Sequence, residues 1–195
     1  GRSVVRCGSS LYLWVDATLD FANIVIRPKA CDSLMRCSTG RRRLPRKGLD
    51  VPSVTVVIPF YQKQSGILSR ALDSVFGQSG VMPSVIVVDD ASPVPAEPEI
   101  LKRAPTEQAR VTLVRQANAG PGGARNTGLD LVSDDTTHVA FLDSDDAWHP
   151  GHLAAALDAM GRFDADCCFA TITGGESFDY HSTVEALEGT PGFAT

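Results

Sequence analysis

From Pro52 onward two kinds of apolar pattern alternate along the chain. Val54-Thr-Val-Val-Ile58 is a β-branched run of the kind that forms a central strand of a parallel sheet, and Pro59 is expected to end it. Ile67, Leu68, Ala71, Leu72, Val75 and Phe76 then recur at helical spacing, with Ser65 as the N-cap and Gly77 and Gly80 as stop signals. Val85-Ile-Val-Val88 is a second buried strand, finishing in Asp89-Asp-Ala-Ser92. A Pro-rich loop and a short helix over about 97–104 lead to a third strand, Val111-Thr-Leu-Val114. A helix is expected over Ala124–Val132, although Gly128 lowers its propensity. The apolar run Val139–Leu142 is the fourth strand, and it runs straight into Asp143, Asp145 and Asp146. A helix over Pro150–Gly161 places Leu153, Leu157 and Met160 on one face, and Cys167–Ile172 is a fifth strand. Strand and helix in strict alternation imply an α/β fold, a mostly parallel, Rossmann-like sheet with helices on both faces.

Residues 1–50 have neither period. Leu11–Val15 and Phe21–Ile26 read as short strands with no evident partner. The chain of 195 residues therefore divides into a poorly specified N-terminal segment, 1–50, and one α/β domain, 51–195. The net charge of −5 conceals an asymmetry: residues 1–50 carry 10 Lys/Arg against 4 Asp/Glu, and the remainder 8 against 19. An acidic folded part argues against a nucleic-acid-binding protein, which concentrates positive charge on its folded face. The basic run Gly40–Gly48 reads as a solvated linker, with contact to nucleic acid or peripheral association at anionic lipid as the alternatives. No run of about 18 apolar residues is present, so no membrane span is expected. Leu11–Val15 is too short for the apolar core of a signal peptide. Five irregularly spaced cysteines match neither a zinc pattern nor a secreted disulfide framework. A cytoplasmic location is expected, with the inner face of the membrane as the alternative.

The chemistry lies where strands end. In a parallel sheet the C-terminal ends of strands share one edge, where ligands bind. Three expected strands end in polar clusters: Pro59-Phe-Tyr61, Asp89-Asp-Ala-Ser92 and Asp143-Ser-Asp-Asp146. Tyr61 offers a ring for stacking on a base, and Asp90 an acceptor for a base N–H or a ribose hydroxyl. Asp143, Asp145 and Asp146 repel one another unless a cation intervenes, and hard ions such as Mg²⁺ or Mn²⁺ take carboxylates together with nucleotide phosphates. The competing reading is an acidic turn with a helix cap. Asn118-Ala-Gly-Pro-Gly-Gly-Ala-Arg-Asn126 fails the dinucleotide fingerprint, because Arg125 stands where the third glycine belongs. It reads as a flexible glycine-rich loop whose arginine pairs either with phosphate or with a nearby aspartate.

Five blocks in order resemble a family 2 glycosyltransferase: Val-Thr-Val-Val-Ile-Pro-Phe-Tyr, Ala-Leu-Asp-Ser-Val-Phe-Gly-Gln, Val-Val-Asp-Asp-Ala-Ser, Asn-Ala-Gly-Pro-Gly-Gly-Ala-Arg-Asn-Thr-Gly-Leu and Phe-Leu-Asp-Ser-Asp-Asp-Ala-Trp-His-Pro. The likeness runs from about Pro52 to about Cys168. It implies a GT-A fold and inverting, metal-dependent transfer of a sugar, of the hexosyltransferase type, from a nucleotide diphosphate sugar, commonly a UDP-sugar. By that resemblance Pro59 and Tyr61 line the base pocket, Asp90 binds the base and Arg125 lies beside the nucleotide. Asp143-Ser144-Asp145 matches the family's Asp-x-Asp motif. Asp145 is then the metal ligand, and Asp143 holds ribose or metal, with Mn²⁺ or Mg²⁺ as the cofactor. The acceptor, a hydroxyl of a glycan, lipid or other molecule, is not indicated.

Two positions depart from the family's habit: Gln62 stands where Asn is usual, and Ala91 where Gly is frequent. The family's general base lies well beyond the Asp-x-Asp motif, and none of Glu176, Asp179, Glu185 or Glu188 is singled out for that role. The chain is thus expected to be the donor-binding part of a truncated domain. The alternative is a non-catalytic nucleotide-sugar-binding fragment that lacks the base. A sugar-phosphate nucleotidyltransferase fits less well, because that class wants a glycine-rich basic loop after the first strand, and Pro59-Phe-Tyr-Gln-Lys-Gln has no glycine before Gly66.

Overall fold

A computed structural model describes residues 3–7, 11–15, 24–27, 52–163, 165 and 167–169, with 3–7 and 11–15 described by their backbone alone. β1 (Ser3–Cys7) and β2 (Leu11–Val15) form an antiparallel pair. The other strands are β3 (Ile24–Ile26), β4 (Val54–Phe60), β5 (Ser84–Asp89), β6 (Val111–Arg115), β7 (His138–Phe141) and β8 (Cys167–Phe169). They make one six-stranded sheet in the order β6-β5-β4-β7-β3-β8. β4 pairs in parallel with β5 and β7, and β5 with β6, while β3 runs antiparallel to both β7 and β8. The helices are α1 (Ile67–Phe76), α2 (Glu97–Leu101), α3 (Pro105–Gln108), α4 (Gly120–Asp130) and α5 (His152–Phe163). The basic run 40–48, the four tail carboxylates and residues 170–172 lie outside the described residues.

The two-residue period of the central strand sorts its side chains between two cores. Val54, Val56, Ile58 and Phe60 join Leu68, Leu72 and Val75 of α1, Ile100 of α2, and Leu153 and Met160 of α5. Val57 faces the other way, with Val139, Phe141 and Leu129 of α4. Both faces of β4 are covered, which is why its sequence is apolar throughout rather than alternating. Each large side chain so buried contributes about 1.5–3 kcal/mol.

β3 falls within the short strand expected over Phe21–Ile26, but no local pattern predicts its partners. Ile24 sits opposite Phe141 on one side and Phe169 on the other, and Ile26 opposite Val139 and Cys167. Ile24 and Ile26 are buried in the smaller core with Val57. A strand of three β-branched residues from the N-terminal segment thus completes the domain's sheet.

Several expectations are corrected. Pro59 does not end β4, which continues to Phe60 and still pairs with β5 there. Val57 O accepts from Leu142 N–H, the last bond on the β7 side, so the N–H that Pro59 lacks would point beyond the paired part of β7. Ser65 is not the cap of α1; Gly66 occupies that position with φ 92°. The N–H groups of Gly66 and Ser69 instead donate to the buried Glu99 carboxylate on α2, at 2.8 Å each. A carboxylate from another helix therefore caps α1, where the helix dipole favours negative charge. The helix expected over about 97–104 stops at Leu101, and a second short helix, α3, starts at Pro105, which holds Ala104 in an extended conformation between them. The last helix begins at His152, where Gln78 Oε1 accepts from Leu153 N–H at 2.9 Å.

Candidate functional site

β4, β5 and β7 are adjacent and parallel, so their C-terminal ends bring the three polar clusters to one edge of the sheet. Asp90 N–H donates to Phe60 O at 2.9 Å, which sets the end of β5 beside Tyr61. Tyr61 is 47 % exposed, an aromatic ring presented to solvent at that edge. Pro59 is buried within β4.

Asp90 is 3 % exposed and held in place. Its Oδ1 accepts from Gln116 Nε2 at 2.7 Å and from Ala119 N–H, the N-cap of α4, at 2.8 Å. Asn118 Nδ2 donates to the Asp90 carbonyl at 3.2 Å. The neighbouring Asp89 has a different job: its Oδ1 accepts from Ser92 N–H at 2.8 Å and closes the turn after β5. That turn puts Ala91 at φ 57°, among the described residues the single non-glycine in the left-handed region.

Gly120-Pro-Gly-Gly is not a flexible loop. It is the first turn of α4, with Pro121 at the start, where its missing N–H costs nothing. Gly120 takes φ 75°, and Gly128 is required by contact: a Cβ there would lie 2.3 Å from Val57 Cγ1. Glycine thus lets α4 press onto the central strand, and the resulting register points Arg125 at the end of β7. Arg125, 7 % exposed, donates from its guanidinium to Asp143 Oδ1 at 2.5 Å. The aspartate alternative for this arginine is the arrangement observed.

The three residues of Asp143-Ser144-Asp145 are disposed differently. Asp143 is half-buried against Arg125. Ser144 is 3 % exposed, and its Oγ accepts from Gln62 Nε2 at 2.9 Å. Asp145 is exposed, while its backbone carbonyl accepts from Arg70 of α1. Asp146 N–H donates to Asp143 O at 3.0 Å and tightens the turn. Beyond it Gln78, also buried, donates to His149 O at 2.8 Å. Among the described residues no three His, Cys, Asp or Glu side chains gather into a metal-binding group. An exposed Asp145 next to Asp143 nevertheless fits the way Mg²⁺-like ions are commonly held, by one or two carboxylates with phosphates and water completing the shell.

Sequence reasoning assigned no holding role to the residues that tie this edge together: Gln62 and Ser92, which it named for other reasons, and Gln116, Arg70 and Gln78. Each is polar and close to a strand or helix end, but its partner lies 26 or more positions away. No spacing rule connects such pairs.

The sheet and its strand-end clusters define a GT-A type α/β domain. The chain superposes on S. aureus TarS 1-349 in complex with UDP with a TM-score of 0.51 and 25% identity, covering 58% of this chain and 33% of that one. The match to the same protein in complex with UDP-GlcNAc has the same TM-score and identity, over 58% and 32%. The chain belongs to glycosyl transferase family 2, which it matches over residues 55–189. It is 57% identical over 135 residues to the succinoglycan biosynthesis protein ExoW of Rhizobium meliloti (strain 1021), 69% of this chain and 42% of that protein. To ExoO of the same organism, also a succinoglycan biosynthesis protein, it is 37% identical over 108 residues, 55% and 30% respectively. The chain thus spans less than half the length of these two relatives. Among the described residues no helix is long and apolar enough to cross a membrane.

Proposed function

We propose that this chain carries the donor-binding part of an inverting, metal-dependent glycosyltransferase that moves a sugar from a UDP-sugar to an acceptor hydroxyl. The observation that carries this reading is the meeting of three parallel strand ends, which sets an exposed tyrosine, a fixed aspartate and an Asp-x-Asp turn with an exposed Asp145 along one edge. Pro59 and Tyr61 line the base pocket, with Tyr61 stacking on the base. Asp90, already oriented by Gln116 and Ala119, accepts from the base. Asp145 is the principal metal ligand and Asp143 the second, with Arg125 fixing the Asp143 carboxylate and standing at the nucleotide's side. The cofactor is Mn²⁺ or Mg²⁺, which when bound supplies Lewis-acid stabilisation of the departing nucleoside diphosphate. One structural relative, S. aureus TarS 1-349, in complex with UDP and with UDP-GlcNAc, supports the choice of donor. The two Rhizobium relatives are named for succinoglycan biosynthesis, and by that likeness the acceptor we infer is a glycan hydroxyl.

Calorimetric titration of UDP into the protein, with Mn²⁺ and then with chelator, tests the reading. Metal-dependent binding that Asp145→Asn abolishes is expected. A folded protein, judged by far-UV circular dichroism, that binds no UDP under either condition would overturn it. Release of free sugar from the UDP-sugar, or its absence, then separates a catalytic chain from a donor-binding module without a base.

A further inference from the structure

The base side and the metal side of this edge are joined by one residue that the preceding roles leave unassigned. Gln62 follows Tyr61 directly. Its backbone is anchored to the end of β5: the N–H donates to Ser92 Oγ at 2.8 Å, and the carbonyl accepts from Ser92 Oγ at 3.0 Å and from Val94 N–H at 3.2 Å. Its side chain reaches in the other direction, to β7, where Nε2 donates to Ser144 Oγ at 2.9 Å. Ser144 is the buried residue between Asp143 and Asp145. Gln62 therefore touches the tyrosine segment by covalent bond, the Asp90 turn through Ser92, and the Asp-x-Asp turn through Ser144. Its hydrogen bonds thus reach both turns, through the backbone at Ser92 and through the side chain at Ser144.

We propose that Gln62 is a positioning residue that couples nucleotide and cation binding, through its side-chain hydrogen bond to Ser144. The inference rests on the donor-site reading above. Asp145 projects from the same turn as Ser144 and carries no constraint from its own side chain, which is exposed. The direction of its carboxylate is set by what holds the turn: Arg70 on the Asp145 carbonyl, Arg125 on Asp143 and Gln62 on Ser144. Of these three, only Gln62 also belongs to the segment that meets the base. A nucleotide that orders the Tyr61 segment orders the Ser144 turn with it, and so lowers the cost of fixing the cation ligands when metal arrives. Such coupling is reciprocal by thermodynamic necessity.

The test is the ratio of UDP affinities with Mn²⁺ and with chelator, measured by calorimetry for the wild type, Gln62→Met, Ser144→Ala and the double variant. Methionine keeps the length of the side chain and loses the donor, and the backbone anchors to Ser92 and Val94 do not depend on the side chain. The metal enhancement is expected to fall about five- to tenfold in Gln62→Met, the scale of one lost hydrogen bond. Metal-free affinity should stay near the wild-type value, and melting temperature should fall by no more than a few degrees, the scale of one lost hydrogen bond. Ser144→Ala should lose a similar factor, and the double variant no more than either alone, since all three lack the same bond. An unchanged enhancement in Gln62→Met, whether both affinities hold or both fall together, or additive losses in the double variant would each overturn the coupling. A wild type with no metal-dependent UDP binding would overturn the donor-site reading and this inference together; wild-type binding with an indifferent Gln62→Met overturns the inference alone.

Discussion

The guanidinium of Arg125 donates to Asp143 Oδ1 at 2.5 Å, joining the second turn of α4 to the end of β7. The two side chains are 8 % and 29 % exposed, so the pair is partly shielded from solvent and from salt. Removing the arginine leaves a half-buried carboxylate without this partner. Arg125→Met should destabilise the fold by about 1–2 kcal/mol, discounted for the exposure of Asp143. Asp143→Asn, which removes the charge and keeps an acceptor, should cost less. Urea denaturation of the two variants gives the order, and a larger loss for Asp143→Asn would show that the pair does not hold the turn.

Gly128 is a second constraint on the same helix. Alanine is the better helix former by about 1 kcal/mol. Here it would place a Cβ 2.3 Å from Val57 Cγ1, in the closely packed contact between α4 and the central strand. Gly128→Ala is therefore expected to lower stability by about 1–3 kcal/mol, the range for overpacking. A thermal melt equal to or above that of the wild type would contradict the contact.

The turn after β5 predicts a gain. Ala91 holds φ 57°, a conformation that costs a residue with a Cβ about 1–2 kcal/mol. Glycine relieves that cost and returns part of it as extra freedom in the unfolded chain. Ala91→Gly should raise stability by about 0.5 kcal/mol. Equilibrium denaturation that shows a loss of stability would mean the turn depends on the methyl group.

Acidification should weaken the protein through its histidines. His152 stacks on Trp148 with ring centroids 4.7 Å apart. Burial, and then the nearby His149, pulls its pKa below the ordinary value of 6.5; burial, and then Arg27, does the same for His138. Below 6.5 the unfolded chain takes up protons that the folded one resists, so unfolding is favoured until the folded histidines also titrate. Melting temperature should fall as pH drops through that window, and the fall should be smaller in His152→Gln. A slope unchanged by the substitution would remove His152 as a cause.

Much of the fold was legible because it is written in short-range periods. Val54–Ile58, Val85–Val88 and Val139–Leu142 are apolar over consecutive positions because helices cover both sides of the sheet. The helical spacing of Leu68, Ala71, Leu72 and Val75 names the buried face of α1. Parallel strands then bring Tyr61, Asp90 and Asp143 to a common edge without further information, since parallel order alone decides which ends coincide. The start of α4 was not legible. Three glycines and a proline in four positions look like a loop until Pro121 is seen at the first turn and Gly128 against Val57.

What the sequence by itself determined is the alternation of strands and helices, the two faces of the sheet and the identity of the strand-end carboxylates. Each follows from residues within a few positions of one another. Only the tertiary structure decided that Ile24–Ile26 enters the sheet between β7 and β8, that Glu99 caps α1, that Arg125 turns to Asp143 and that Gln62 reaches Ser144. These pairs are separated by 18 to 145 positions, and their partners are chosen by which groups the folded backbone brings within hydrogen-bond reach. A buried donor or acceptor must find a partner, but the chain's local pattern does not say which one.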